Sequence, residues 1–216
     1  MSNNQSSNNL TLYHYWRSSC SWRVRWALKH KGVAYSEVIV NLLNGEQSSP
    51  AFLAKNPGGG VPALEINGKI FGESLAILEW IEETYPANPL LPQSQIDRLR
   101  VRQICQLITI GIQPIQNLSV MRRHSSDPAE QAKWAHHWIS LGLEKLELLI
   151  TSCAGTYCFG GQLTFADLCL VPQVYNALRF SVDMSLFPTV NRINNHCLKL
   201  PACDAAAPHN QTGATP

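Results

Sequence analysis

The stretch SSCSWRVR, at residues 18–25, decides the fold of this chain. It follows an apolar run with strand-like alternation, LTLYHY at 10–15, which predicts a β-strand. Apolar residues then recur at helical spacing from Cys20 to Leu28, and Gly32 supplies a helix stop. The serines and the cysteine therefore lie in a turn that leads from a strand into a helix.

This turn is suited to an anion. The first backbone N–H groups of a helix have no partner within the helix, and the helix dipole places partial positive charge there. A thiolate beside the hydroxyls of Ser18 and Ser19 would be stabilised. The simplest alternative is that these serines only cap the helix, which is a common role for serine at such a position.

Length and composition indicate an ordinary globular protein. The 216 residues, 45% apolar and 15% charged, are enough for two domains. A net charge of +2 with scattered Lys and Arg argues against a nucleic-acid or anionic-membrane partner, so we expect a small-molecule ligand. The sequence shows no secretory leader and no membrane-spanning run, and we expect a cytoplasmic location.

The cysteines do not form a recognisable framework. There are seven of them at irregular spacing, which argues against a set of disulfides and favours a reducing compartment. None of the spacings is typical of a zinc ribbon, so we expect no metal site.

The first part of the chain mixes strands and helices. Its predicted order is strand, helix, strand, helix, hairpin, helix, which favours a small mixed sheet covered by helices over residues 10–85. Asn67-Gly68 supplies the tight turn of the hairpin. Ser74 is predicted to cap the helix that follows the hairpin.

The second part of the chain is predicted to be helical. Three prolines make residues 86–93 a linker, and helix-start signals recur over 94–203, with Pro114 expected to kink one long helix. The run after Thr164 is apolar enough to lie at the centre of a bundle. We expect a disordered tail at 1–9 and a flexible tail at 204–216.

Two further places could hold parts of a small peptide. A strand that opens at Val61-Pro62 leaves backbone groups free to pair with an extended ligand. Glu73-Ser74, at a helix start, suits a carboxylate, while Glu73 itself would pair with an ammonium group. Each of these features also occurs as an ordinary turn device or helix cap.

Taken together, these motifs give the chain a specific resemblance. The supporting stretches are SSCSWRVR at 18–25, NP at 56–57, VP at 61–62, ESLAI at 73–77, GIQPIQNLSV at 111–120 and ADLCLVPQV at 166–174. From about Leu10 to Leu200 the chain resembles the zeta-class glutathione transferases, the family that includes the maleylacetoacetate isomerases. The resemblance implies an α/β thioredoxin-like N-terminal domain, an all-α C-terminal helical bundle, a homodimer, and glutathione as co-substrate.

The resemblance also implies roles for particular residues. Catalysis would rest on Ser18, which faces the glutathione sulfur, with Ser19 and Cys20 completing the turn. Glutathione would be bound by Ser18, Gln47, Val61, Glu73, Ser74, Gln113, Asn117 and Ser119. The carboxylates of the substrate would be bound by Arg17 or Arg179, for which a surface ion pair is the alternative.

This sequence departs from the family pattern in three places. Glu73 stands where the family usually has Gln, and the loop at 41–56 is shorter than usual, which alters the rim of the pocket. Gly58-Gly59-Gly60 replaces bulkier residues before Val61, and we expect this segment to be looser.

The implied activity is cis–trans isomerisation of maleylacetoacetate by reversible thiolate addition, in aromatic amino-acid catabolism. Alternatives are conjugation of small electrophiles such as α-halo acids, or isomerisation of maleylpyruvate. Thiol–disulfide exchange through Cys20 is disfavoured because Arg23 stands where a resolving cysteine is needed. A binding module without catalysis is the remaining alternative.

Overall fold

The computed structural model describes residues 9–214. By internal contacts the chain divides into one unit of Met1–Ala87 with Ala205–Pro216 and a second unit of Asn88–Asp204. The division falls inside the proline-rich segment 86–93. The domain boundaries drawn from the sequence stay predictions, and the disordered tail predicted at 1–9 lies outside the described residues except for Asn9.

The first unit contains a four-stranded mixed sheet. Its elements are β1 (Leu10–His14), α1 (Ser19–His30), β2 (Ser36–Ile39), α2 (Pro50–Leu53), β3 (Ala63–Ile66), β4 (Lys69–Phe71) and α3 (Ser74–Thr84). The strand order is β2-β1-β3-β4, in which β1 and β2 are parallel and the other pairs antiparallel. The predicted thioredoxin-like arrangement is confirmed.

Local sequence explains where several of these elements end. Asn67 and Gly68 have φ of 50° and 83°, the positive angles that the predicted hairpin turn requires. Gly32, with φ of 65°, follows the end of α1. The Lys31 ammonium lies 2.6 Å from the Glu82 carboxylate and also donates to the carbonyl of Tyr85, which ties the end of α1 to α3.

The C-terminal segment differs from the predicted flexible tail. A short helix, α9 (Pro201–Ala206), is followed by further ordered residues, and Ala206, Ala207 and Pro208 are buried. The Ala206 carbonyl accepts a hydrogen bond of 3.0 Å from Nε of the fully buried Arg25. The composition of this segment did not predict its order, because the segment is held by a hydrogen bond to a buried arginine rather than by a periodic apolar face.

The second unit is helical. Its elements are α4 (Gln95–Gln106), a π-helical segment (Leu107–Ile112), a 3-10 segment (Gln113–Gln116), α5 (Leu118–His124), α6 (Pro128–Thr151), α7 (Phe165–Arg179) and α8 (Pro188–Cys197). The expectation of one long helix kinked at Pro114 is wrong. A change of helical pitch begins at Leu107, before the proline, and Asn117 starts α5 as a new helix.

Helix α7 is buried along nearly its whole length, as its apolar run predicts. A capping box at its start joins Thr164 to Asp167, which is completely buried. Within residues 9–214 no helix has the length and apolarity needed to cross a bilayer. In the same residues no group of His, Cys, Asp and Glu is placed to hold a metal ion, and all seven cysteines are free thiols.

Acidic pH is expected to lower the stability of the first unit, because His14 is buried there. Burial, and then the adjacent Arg25, lower the pKa of His14 from 6.5 to about 4, although Glu37 opposes them. A histidine whose pKa is depressed by folding contributes stability above pH 6.5, and this stability is lost as the pH falls toward 4. We expect the free energy of unfolding to drop by up to about 3 kcal/mol across this window.

Denaturant titrations at a series of pH values measure this effect. Nη1 of Arg25 lies 3.3 Å from Nδ1 of His14. The variant His14→Gln, which keeps a side-chain acceptor for Arg25 but cannot take up a proton, should lose the additional acid sensitivity. Equal slopes of stability against pH in both proteins would contradict the assignment.

Candidate active site

Ser18 is the N-cap residue of α1. Its Oγ accepts a hydrogen bond of 3.2 Å from the backbone N–H of Ser21. The cap hypothesis and the thiolate hypothesis are compatible, because a hydroxyl that accepts at its oxygen still has its own hydrogen to donate. The first turn of α1 contains no acidic residue that would cancel the positive end of the helix.

The two residues after Ser18 differ in access. Ser19 is the first residue of α1 and is buried, with 6% of its surface exposed, whereas Cys20 is half-buried. The Cys20 sulfur accepts a hydrogen bond of 3.5 Å from Nη1 of Arg23. The geometry therefore makes Ser18 and Cys20 more accessible to a ligand than Ser19.

The start of α3 lies against α1. Glu73, rather than Ser74, is the N-cap residue of α3, and it has the unusual angles φ 64° and ψ 106°. The prediction that Ser74 caps the helix is wrong, since Ser74 is already helical and its Oγ accepts a 3.1 Å hydrogen bond from Arg23. A strained, exposed glutamate at a helix start is a common feature of ligand sites.

Gln47 and Val61 belong to neighbouring loops. Gln47 lies in a 3-10 turn (Glu46–Ser48), and its buried Oε1 has no hydrogen-bond partner among residues 9–214. Val61 precedes Pro62 through a cis peptide bond and lies outside the β1–β3 pairing, which reaches Ala63. An amide oxygen without a partner among residues 9–214 and a stretch of backbone outside the sheet pairing thus occur in the same unit.

The glycine run before Val61 is held in place rather than loosened. Nδ2 of Asn56 donates to the carbonyl of Gly60 at 2.9 Å. Gly59 has φ of 59°, and a Cβ there would lie 3.3 Å from the carbonyl oxygen of Gln47. The backbone of the two loops approaches closely at a position that only glycine fits well.

The predicted residues of the helical unit are partly brought together. Nε2 of Gln113 donates to Oδ1 of Asn117 at 2.6 Å, while Ser119 is exposed on α5. Arg179 is exposed near the end of α7 and donates to Oδ1 of Asn176 at 3.2 Å. In the first unit, the Arg17 guanidinium lies 5.4 Å from the centre of the Trp16 ring.

Arg23 is the site residue that sequence reasoning missed. It touches both Cys20 and Ser74, which lie 54 positions apart. Its place in the SSCSWRVR motif was a signal, but only the packing of α1 against α3 shows which residues it joins.

The first unit combines a thioredoxin-like sheet with a serine turn before α1, a cis-proline before β3 and a Glu-Ser pair at the start of α3, and a helical unit follows it in sequence. This combination defines the glutathione transferase class. Comparison with known proteins agrees. The family model "Glutathione S-transferase, N-terminal domain" matches residues 12–89.

Similarity to individual proteins narrows the class. A maleylacetoacetate isomerase of Dictyostelium discoideum is 45% identical over 98% of this chain and 99% of its own length. A solved maleylacetoacetate isomerase of Anaeromyxobacter dehalogenans is 42% identical, with a TM-score of 0.89 over 97% of this chain and 99% of the other. A zeta-class maleylpyruvate isomerase structure is 38% identical, with a TM-score of 0.92 over 95% of this chain and 100% of the other. The chain belongs to the zeta-class glutathione transferase family, which includes the maleylacetoacetate isomerases.

Proposed function

We propose that this protein is a glutathione-dependent isomerase that converts maleylacetoacetate into its fumaryl isomer. The observation that carries the proposal is the Ser18 hydroxyl, which caps α1 and keeps its own hydrogen for a ligand. The isomerase of Anaeromyxobacter dehalogenans holds glutathione in one structure, and dicarboxyethyl glutathione with citrate in another. Its ligands support a thiol and a dicarboxylate as the two reactants.

The residues present fit glutathione. The tripeptide carries an ammonium group, two carboxylates, backbone amides and a thiol, and the first unit offers counterparts for the ammonium group, one carboxylate, the amides and the thiol. The unpaired Oε1 of Gln47 can accept an N–H, and the backbone at Val61 can pair with an extended peptide. Glu73 offers a charge for the ammonium group, and Ser74 offers a hydroxyl for a carboxylate.

Glutathione, when bound, supplies a thiolate that adds reversibly to the cis double bond and leaves after rotation. Ser18 donates a hydrogen bond to the sulfur and, with the N-terminus of α1, favours its ionised form. A free thiol has a pKa of about 8.5, so this preference raises the share of nucleophile at neutral pH. Arg17 or Arg179 orients the substrate carboxylates and offsets negative charge that develops during addition.

We also propose a cytoplasmic location and a homodimer for this protein. The seven free thiols support the cytoplasmic location, because a reducing compartment keeps cysteines from forming disulfides. A homodimer, and a role in tyrosine and phenylalanine breakdown, are implied by the family alone. Sedimentation of the purified chain measures the first of these.

Isomerisation of maleylacetone, measured with and without glutathione, tests the proposed function. We expect turnover only when glutathione is present. Equal turnover without the tripeptide would overturn the thiolate route. Conjugation of α-halo acids without isomerisation would favour the transferase alternative, and a strong preference for maleylpyruvate would reassign the substrate.

Glu73→Gly is expected to separate stability from binding. Glycine adopts a φ of 64° without strain, so the variant should be more stable by about 1 kcal/mol. Loss of the carboxylate should raise the KM for glutathione about tenfold, because the ammonium group loses its charged partner. Thermal unfolding and steady-state kinetics measure the two effects.

Glu73→Gln is the matched control. It keeps the backbone conformation and removes only the charge, so its stability should equal that of the wild type while its KM rises. An unchanged KM in both variants would remove Glu73 from the binding site.

A further inference from the structure

Arg23 is a buried charge without a matching anion. Only 1% of its surface is exposed. Its Nη1 donates to the Ser74 hydroxyl and the Cys20 sulfur, but Nε and Nη2 have no hydrogen-bond partner among residues 9–214. In the described part of the chain no Asp or Glu forms an ion pair with it.

Such an arrangement is unfavourable in the protein alone. A guanidinium stays protonated, and burying it with unpaired N–H groups carries a large desolvation cost. Arg25, two positions along the same helix, is equally buried but donates to the carbonyls of Tyr15, Trp16 and Ala206. The two arginines therefore differ in their hydrogen-bond partners: among residues 9–214, Nε and Nη2 of Arg23 have no acceptor, whereas every guanidinium nitrogen of Arg25 has one.

We propose that Arg23 is a positioning residue that makes the site electrostatically complementary to the glutathione anion. The inference rests on the proposed function. The positive charge lies against Cys20, in the turn where Ser18 would receive the sulfur, and favours the ionised thiol. The same guanidinium donates to the Ser74 oxygen, which leaves the Ser74 hydrogen to point toward a carboxylate of the tripeptide.

The expected size of the effect follows from Coulomb's law. A unit charge several ångströms from a thiolate, at the effective dielectric constant of a protein interior, shifts the pKa of that thiol by about one to three units. Removing the charge should therefore raise the pKa of the bound thiol by about one unit or more. The KM for glutathione should rise about tenfold when Ser74 loses its donor.

The variant Arg23→Met tests this with the full-length protein. The pKa of enzyme-bound glutathione is measured from the ultraviolet absorbance of the thiolate as a function of pH, with no dicarboxylate present. We expect that pKa and the KM for glutathione to rise, and we expect the melting temperature without glutathione to stay equal or increase, since an unpaired buried charge is removed. Arg23→Lys, which keeps the charge, should keep the lowered thiol pKa.

Arg25→Lys is the matched control from the same helix. This variant should lower the melting temperature, because lysine cannot donate to all three backbone carbonyls in the geometry of the guanidinium. It should leave the pKa of the bound thiol unchanged. An Arg23→Met variant that melts earlier with the same thiol pKa would show a structural role and overturn the inference. A similar thiol shift in Arg25→Lys would overturn it as well.

The titration also separates this inference from the proposed function. Wild-type protein that ionises glutathione but does not isomerise maleylacetone would overturn the function and leave the role of Arg23 standing. Wild-type protein that does not bind glutathione would overturn both.

Discussion

Replacing Ser18 by alanine is expected to lower turnover about a hundredfold and to leave the affinity for glutathione nearly unchanged. Loss of one preorganised donor to a developing or bound anion typically costs this much in rate. The tripeptide would still be held by the groups around Gln47, Val61 and Ser74. Steady-state isomerisation and equilibrium titration with glutathione measure the two quantities.

The same substitution removes a helix cap, so its effect on folding must be separated from its effect on chemistry. Loss of the bond from Ser21 to the Ser18 oxygen should cost about 1 kcal/mol of stability. Ser18→Thr keeps the hydroxyl and should retain most of the turnover. Ser94→Ala removes the exposed cap of α4 and should leave the rate unchanged. Full turnover by Ser18→Ala would refute the role given to this hydroxyl.

Replacing Asp167 by alanine is expected to cost about 3–5 kcal/mol of unfolding free energy, the largest loss of stability we expect for a single substitution. Its carboxylate is fully buried and accepts from the backbone N–H of Cys158 at 2.7 Å. It also accepts from the N–H of Thr164 at 2.8 Å and from the Thr164 hydroxyl at 3.1 Å. Alanine would leave three buried donors unsatisfied.

Two other variants make this prediction specific. Asp127→Ala removes an exposed N-cap that accepts from the N–H of Ala129, and it should cost only about 1 kcal/mol. Asp167→Asn should fall between the two. It keeps one acceptor oxygen and removes the ability to carry a buried charge. Burial raises the pKa of Asp167, whereas the hydrogen bonds from Cys158 and Thr164 lower it. Chemical denaturation measures all three, and equal losses at Asp127 and Asp167 would contradict the assignment.

Local sequence signals were enough wherever a short-range rule governs the structure. The alternating run at 10–15, the Asn67-Gly68 turn and the apolar run after Thr164 each predict an element that the structure contains. The resemblance of the motifs predicted the zeta-class family, which the comparisons confirm. The roles of individual site residues stay predictions that the proposed experiments address.

The errors occur where distant parts of the chain decide the outcome. Ser74 looks like a cap, but the cap is Glu73, held at a positive φ that no local preference favours. The segment after Asp204 looks mobile, but Ala206 docks on Arg25, a residue 181 positions away. Neither the cap at Glu73 nor the contact between Ala206 and Arg25 can be predicted from composition or periodicity.

The amino-acid sequence by itself therefore determined the order of elements, the mixed sheet followed by helices, and the serine turn that leads into α1, because propensities, caps and turns act over a few residues. Only the tertiary structure decided which acceptors satisfy the two buried arginines of α1. Arg23 and Arg25 lie in the same motif and are equally buried, yet one reaches three carbonyls and the other reaches a sulfur and a hydroxyl. The difference arises because neighbouring positions on a helix face different directions, and the groups they meet come from remote segments that the fold alone brings together.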